Sequence, residues 1–306
     1  MGRTAFVILA MLSAVSLLPP GAQAAQKLRV VATIPDLKSL AEAVGGDLVE
    51  VDSLTRGTQN LHEAEVRPSM MLKLRRADAL IENGANLDAW ADVAVSGANN
   101  PRILRGAAGR IDISRGVPLL EVPTQRVDRS MGDVHPEGNP HFSLDPGLAP
   151  VITQTIVDGF ARLAPENRAA FEKNRQAFLQ KLEGAMDRWT KLMEPVRGSK
   201  VVVFHPDFIY FLTRFGLVQI GTLEDRPGIP PSPQHVVQII RQMKAERVKV
   251  ILVEPWNDLK LAERVAAEVG GAKALVMASS VGAVKGTDNY IAAIDYNVTT
   301  LAQALK

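Results

Sequence analysis

The chain has 306 residues, 46% of them hydrophobic and 22% charged, which fits a globular protein of one large domain or two ordinary ones. Its formal net charge is +2 and neither sign forms long runs, so composition argues against a surface that tracks nucleic-acid phosphates. There is no Cys, which excludes disulfide staples, thiolate zinc sites, a Cys nucleophile and a lipid-modified Cys, so any metal site must use His, Asp, Glu or water.

Residues 1–24 read as an export signal: Arg3 gives a positive start, Ala5 to Leu18 is an uncharged apolar run, and Pro19-Pro20 breaks it ahead of Ala22-Gln23-Ala24. Cleavage is expected near Ala24 or Ala25. The apolar run is 14 residues long, short of the roughly 20 that a spanning helix needs. An exported chain without Cys points to the bacterial periplasm, and the expectation is a freely diffusing protein with no lipid anchor.

From residue 28 onward, β-branched runs alternate with helical patterns, which argues for α/β layers. Strands are expected at Leu28 to Ile34, Leu48 to Leu54 and Ala79 to Glu82, with helices at Asp36 to Val44 and Pro68 to Arg76. A loop rich in Pro and Gly follows from Arg115 to Pro140. Between Glu166 and Met193 apolar residues recur at Phe171, Phe178, Leu182, Met186 and Leu192, close to helical spacing. A single helix over that span would be roughly 42 Å long, enough to run down two domains. Alternation then resumes, with strands at Lys200 to Phe204, Leu217 to Thr222, Val248 to Val253 and Ala274 to Met277. Helices are expected near Pro233 to Ala245, Leu259 to Val269 and Tyr290 to Ala304. The expected division is therefore a signal at 1–24, an amino-terminal α/β lobe at 25–165, a linking helix at 166–194 and a second α/β lobe at 195–306.

Ligands of α/β sheets bind where loops leave the carboxyl ends of strands. Three of the five His residues fall in such places: His62 after the second strand, His141 after the long loop, and His205 directly after KVVVF. They lie too far apart in sequence for a finger-type site, so only the fold could assemble them. Each alone also suits an ordinary surface or hydrogen-bonded role. His62-Glu63-Ala64-Glu65 resembles the start of a zinc-protease helix, but Val66 stands where its second His belongs. Phosphate-loop, dinucleotide and nucleophile-elbow motifs are absent from the sequence.

Several spaced segments carry a more specific likeness: VVATIPDLKSLAEAVGGD, NLHEAEVRPSMMLKLRRADALIENGANLDAW, GNPHFSLDP, VVVFHPDFIYFLTRFGL, the Pro-Gly-Ile-Pro-Pro-Ser run, ILVEPW and YNVTTLAQAL. In this order they resemble the metal-binding periplasmic solute-binding proteins of zinc and manganese ABC transporters, the cluster A-I or ZnuA/TroA-like family. The resemblance implies two sheet-based lobes bridged by a long helix, with one metal ion in the interlobe cleft. It implies His62 and His141 as ligands from the first lobe and His205 from the second.

At the fourth ligand the sequence departs from the family, which usually supplies Asp or Glu where this chain has Ser279. A Ser hydroxyl is a poor metal ligand, which leaves the position to water or to another carboxylate: Glu63, Glu65, Glu254 or Asp288. His135 stands six residues before His141 as an auxiliary loop ligand or an ordinary loop residue, and Ser143 replaces an aromatic residue common in the family. Three imidazoles favour Zn2+, with Mn2+ as the alternative. The implied partners are an ABC permease and a periplasmic metallochaperone, the implied state is a monomer, and no catalytic residue is assigned. The rival reading is a zinc-dependent hydrolase or hydratase, since three His ligands with an open fourth position also describe a catalytic zinc.

Overall fold

The computed structural model describes residues 27–306. The export-signal reading of residues 1–24 and the cleavage point near Ala24 or Ala25 lie outside the described residues. The first lobe contains β1 (Leu28–Ala32), α1 (Pro35–Gly45), β2 (Val49–Ser53), α2 (Pro68–Arg75), β3 (Ala79–Glu82), α3 (Ala91–Ala98), β4 (Arg110–Asp112) and α4 (Ala149–Leu163). Then α5 (Arg168–Met193) leads into β5 (Lys200–Val203), α6 (Ile209–Arg214), β6 (Val218–Thr222), α7 (Pro233–Glu246), β7 (Val250–Val253), α8 (Leu259–Val269), β8 (Lys273–Val276) and α9 (Tyr290–Leu305).

Each lobe is a four-stranded parallel sheet, in the orders β2-β1-β3-β4 and β6-β5-β7-β8. Strands such as Ala79–Glu82 and Val250–Val253 are buried throughout, which suits parallel sheets covered on both faces. Parallel pairing also sends every strand's carboxyl end to the same edge of its sheet, so the loops that follow converge there.

Periodicity missed α3, β4, α4 and α6. β4 is three residues long, and α6 only six. α3 contains Gly97, and α4 carries a dense β-branched run (Val151, Ile152, Thr153, Thr155, Ile156, Val157) of low helix propensity. α4 forms because Ile152, Ile156, Val157 and Phe160 share one buried face, and packing overrides propensity there.

The 26 residues of α5 span about 39 Å. Its buried stripe is Phe171, Phe178, Leu182, Ala185, Trp189 and Met193, with Met186 and Leu192 at the margin. The stripe lies against α1, α4 and α9, and Trp189 Nε1 donates to Asp295 Oδ1 at 2.8 Å. One apolar core consequently runs through both lobes. Polar contacts pin the lobes further: Tyr290 Oη donates to the Ser143 carbonyl at 2.6 Å, Tyr210 Oη to the Asn139 carbonyl at 2.7 Å, and Arg214 grips Asp145 through Nε and Nη2 at 2.6 and 2.8 Å. Ser280, beside β8, donates to Asp36 in the first turn of α1.

Candidate metal centre

Loops after the strands deliver the site. His62 follows β2; its backbone N–H donates to Asn60 Oδ1 at 3.0 Å, and Trp90 Nε1 holds the adjacent Leu61 carbonyl at 3.0 Å. His141 is buried, with its N–H on Asn139 Oδ1 at 3.0 Å and the preceding Pro140 carbonyl held by Asn83 Nδ2 at 3.0 Å. His205 leaves the end of β5, where Pro206 opens a tight turn and the Asp207 N–H returns to the His205 carbonyl at 2.9 Å. That turn carries His205 and Asp207 into the cleft together.

One ligand atom each from His62, His141, His205 and Asp207 lie within 4.8 Å of one another. His62 Nε2 and His141 Nε2 are 3.0 Å apart, and Asp207 Oδ1 is 3.0 Å from His141 Nε2 and 3.5 Å from His205 Nε2. A tetrahedral zinc with bonds of about 2.0–2.1 Å would separate its donors by about 3.4 Å, so these three separations stand near that spacing. Asp207 Oδ1 is buried and satisfied by no well-aligned hydrogen bond, as befits an oxygen aimed at a shared centre. The residues fit a divalent transition ion.

The electrostatics divide the imidazoles. Burial, reinforced by the neighbouring imidazoles, holds His62 and His141 well below the ordinary His value, so both stay neutral and able to ligate. Burial alone would lower His205 too, but Asp207, Glu224 and Glu254 outweigh it and push its pKa up to about 9. Glu224 Oε2 lies 2.7 Å from His205 Nδ1, which turns Nε2 towards the centre. Burial raises Asp207 to about 6, with His205 opposing and Glu224 and Asp133 adding to the rise. Burial, together with Asp207, holds Glu254 well above the usual carboxylate range, and its Oε2 accepts from Asn257 Nδ2 at 2.8 Å.

Of the carboxylates considered from sequence, Glu63, Glu65 and Asp288 are exposed and lie outside the cluster, while Glu254 lies behind His205. Ser279 is buried beside Ser280, with no carboxylate at its position. The acidic member of the cluster is Asp207, which sequence reasoning passed over. Its signal was present in His205-Pro206-Asp207, a strand end with two ligand types two residues apart. His135 Nε2 lies 3.1 Å from His62 Nδ1, their rings stacked at 5.1 Å, and burial lowers its pKa to about 4. Ser143 is buried, and the aromatic packing beside His141 is made by Phe142 against Tyr210, with ring centroids 6.4 Å apart. A cavity of about 160 Å3, lined by His62, Glu121, Asp133, His135, His141 and His205, opens from the cluster.

The chain matches the family model described as zinc-uptake complex component A, periplasmic, over residues 30–304. It belongs to this family. It is 23% identical over 286 residues to the high-affinity zinc uptake system protein ZnuA of Bacillus subtilis (strain 168), covering 91% of this chain and 88% of that one. It is 24% identical over 288 residues to the iron-binding protein YfeA of Yersinia pestis, covering 91% and 86%. A crystal structure of ZnuA has the same fold, with a TM-score of 0.77 at 26% identity over 92% of this chain and 100% of that one. The chain is thus a metal-binding solute-binding protein of the ABC-transport type and not an enzyme, which sets aside the hydrolase or hydratase reading.

Proposed function

We propose that this protein captures one Zn2+ ion in the periplasm through His62, His141, His205 and Asp207 and hands it to an ABC permease. The observation that carries the reading is the meeting of three imidazoles and one carboxylate, from both lobes, within 4.8 Å. Three nitrogens and one oxygen suit zinc better than Mn2+, which favours more oxygen donors, so Mn2+ is the secondary cargo. Glu224 and Glu254 back His205 rather than ligate, and His135 serves as an auxiliary donor at the rim, above His62. All four donors belong to one chain, which supports a working monomer. Residues 1–24 direct export and are removed near Ala24 or Ala25, and a periplasmic metallochaperone is a fitting donor for a site this buried.

Titration of the metal-free protein with Zn2+ against a competing chelator should give one tight ion per chain, with Mn2+ competing poorly. His62→Ala, His141→Ala and His205→Ala should each weaken binding by about 100-fold or more, since each removes a ligand outright. Unchanged affinity in two of the three would overturn the assignment.

A further inference from the structure

We propose that Glu224 is a positioning residue that couples the metal-facing imidazole of His205 to a clasp closing the two lobes over the site. The inference rests on the metal-capture reading above.

One oxygen of Glu224 has two jobs. Oε2 lies 2.7 Å from His205 Nδ1 and accepts the Gly228 N–H at 2.8 Å. The residue is itself fixed, 5% exposed, with its N–H on the Phe204 carbonyl at 3.2 Å and its own carbonyl accepting Thr222 Oγ1 at 2.6 Å. Gly228 belongs to a turn closed by an Arg226–Ile229 bridge, and that turn meets the loop of the opposite lobe. The Asp133 N–H donates to the Pro227 carbonyl at 2.8 Å, and Arg226 Nη1 donates to the Ser130 carbonyl at 2.7 Å. Gly228 has φ +76° and Gly132 has φ +74°, and a Cβ on either would overlap the facing loop, at Asp133 and at the Pro227 carbonyl respectively. The close approach therefore depends on both glycines.

Two residues beyond Asp133, His135 returns to His62. The contacts thus form a ring that crosses the cleft: His205, Glu224, the 226–229 turn, the 130–135 loop and His62. An ion held by Nε2 of both His205 and His62 would fix the two rings in place, His205 against Glu224 on one side and His62 against His135 on the other. Loading the site therefore favours the closed clasp, because both ends of the ring of contacts are then anchored on one ion.

The test combines Zn2+ affinity and release rate with amide hydrogen exchange at Gly228 and residues 130–135, on the mature protein with and without saturating Zn2+. Wild type should show zinc-dependent protection of these amides. Glu224→Ala should weaken binding by about 10- to 100-fold and lose that protection even at saturating Zn2+. Glu224→Gln keeps an acceptor oxygen and should restore the protection. Arg226→Ala cuts the clasp without touching an imidazole and should speed zinc release. Protection in Glu224→Ala equal to wild type at saturating Zn2+ would overturn the coupling, even with affinity lowered. So would failure of Glu224→Gln to restore protection. A wild-type protein that binds no Zn2+ would instead refute the capture reading on which the coupling rests.

Discussion

Replacing Asp207 tests the site at the residue that the sequence motifs did not single out. Asp207→Asn keeps volume and a neutral oxygen but removes the only carboxylate in the four-residue cluster. Losing one partner of a buried charge pair costs about 3–5 kcal/mol. Two effects work against that loss. Burial makes the Asp207 carboxylate costly in the metal-free protein, as its pKa of about 6 records. Its charge also helps to hold a proton on His205, whose pKa is about 9, and the ion must displace that proton. Removing Asp207 eases both costs, leaving a net loss of about 2–4 kcal/mol, or roughly 30- to 1000-fold in Kd. The relief on His205 matters less as pH rises, so the deficit of the variant should widen between pH 7 and pH 9. Competition against a chromophoric chelator across that range measures both quantities, with circular dichroism to check the fold. A Kd within about threefold of wild type for both Asp207→Asn and Asp207→Ala would refute the four-donor site.

Zinc uptake should release protons. His205 is protonated below about pH 9 in the free protein, so apparent affinity should climb about tenfold per pH unit from pH 7 to 8.5 and more steeply below pH 6, where Asp207 also protonates. Calorimetry in buffers of different ionisation enthalpy should count about one proton per ion at pH 7.5, and a count of zero would contradict the His205 environment. Asp36 provides a stability test: burial raises it from 3.8 to about 6, so its contribution is fully present below pH 3.8 and lost as pH rises through about 6. Asp36→Asn should therefore be more stable than wild type above pH 6 in denaturant unfolding, by at most about 3 kcal/mol, with the difference closing near pH 4. Gly57 abuts the second lobe, where a Cβ would overlap the Val281 carbonyl. Gly57→Ala should cost about 1–3 kcal/mol in denaturant unfolding and weaken zinc binding by separating the lobes.

The fold was legible where one period dominates. The Phe171-to-Met193 stripe marks a long helix, and runs such as KVVVF and VKVILV mark buried parallel strands. It was illegible where local preference opposes the structure, as in the β-branched α4, or where an element is too short to show a period, as in β4. The three His residues that the fold brings together with Asp207 each lie beyond a strand or in a quoted motif, which is why the sequence could point to them. Asp207 could not be read by likeness, which directs attention to Ser279 after β8, although chain geometry places a residue two beyond a strand end near the ligand at that end. Glu224 was hidden for another reason: its role depends on a contact between neighbouring strand ends, 19 residues from His205.

Placing the carboxylate at 207 rather than 279 changes how the site is held. His205 and Asp207 ride on one turn, so the second lobe presents two donors as a single unit, backed by Glu224. Asp207 is the carboxylate that faces the ion, while burial holds Glu254, behind His205, well above the usual carboxylate range. The first lobe presents its two donors on separate loops. His141 is buried and followed at once by a turn whose Ser143 carbonyl is pinned by Tyr290, but His62 is only half-buried, in a stretch between β2 and α2 without helix or strand. The lobes share one core and are tied by Tyr210, Tyr290 and Arg214, so parting them would break many contacts at once. Withdrawing His62 breaks few: its contacts with His141 and His135, the hydrogen bond to Asn60 and the Trp90 contact beside it. On the proposed capture reading, release should therefore begin at His62, with the pair on the β5–α6 turn the last donors to let go.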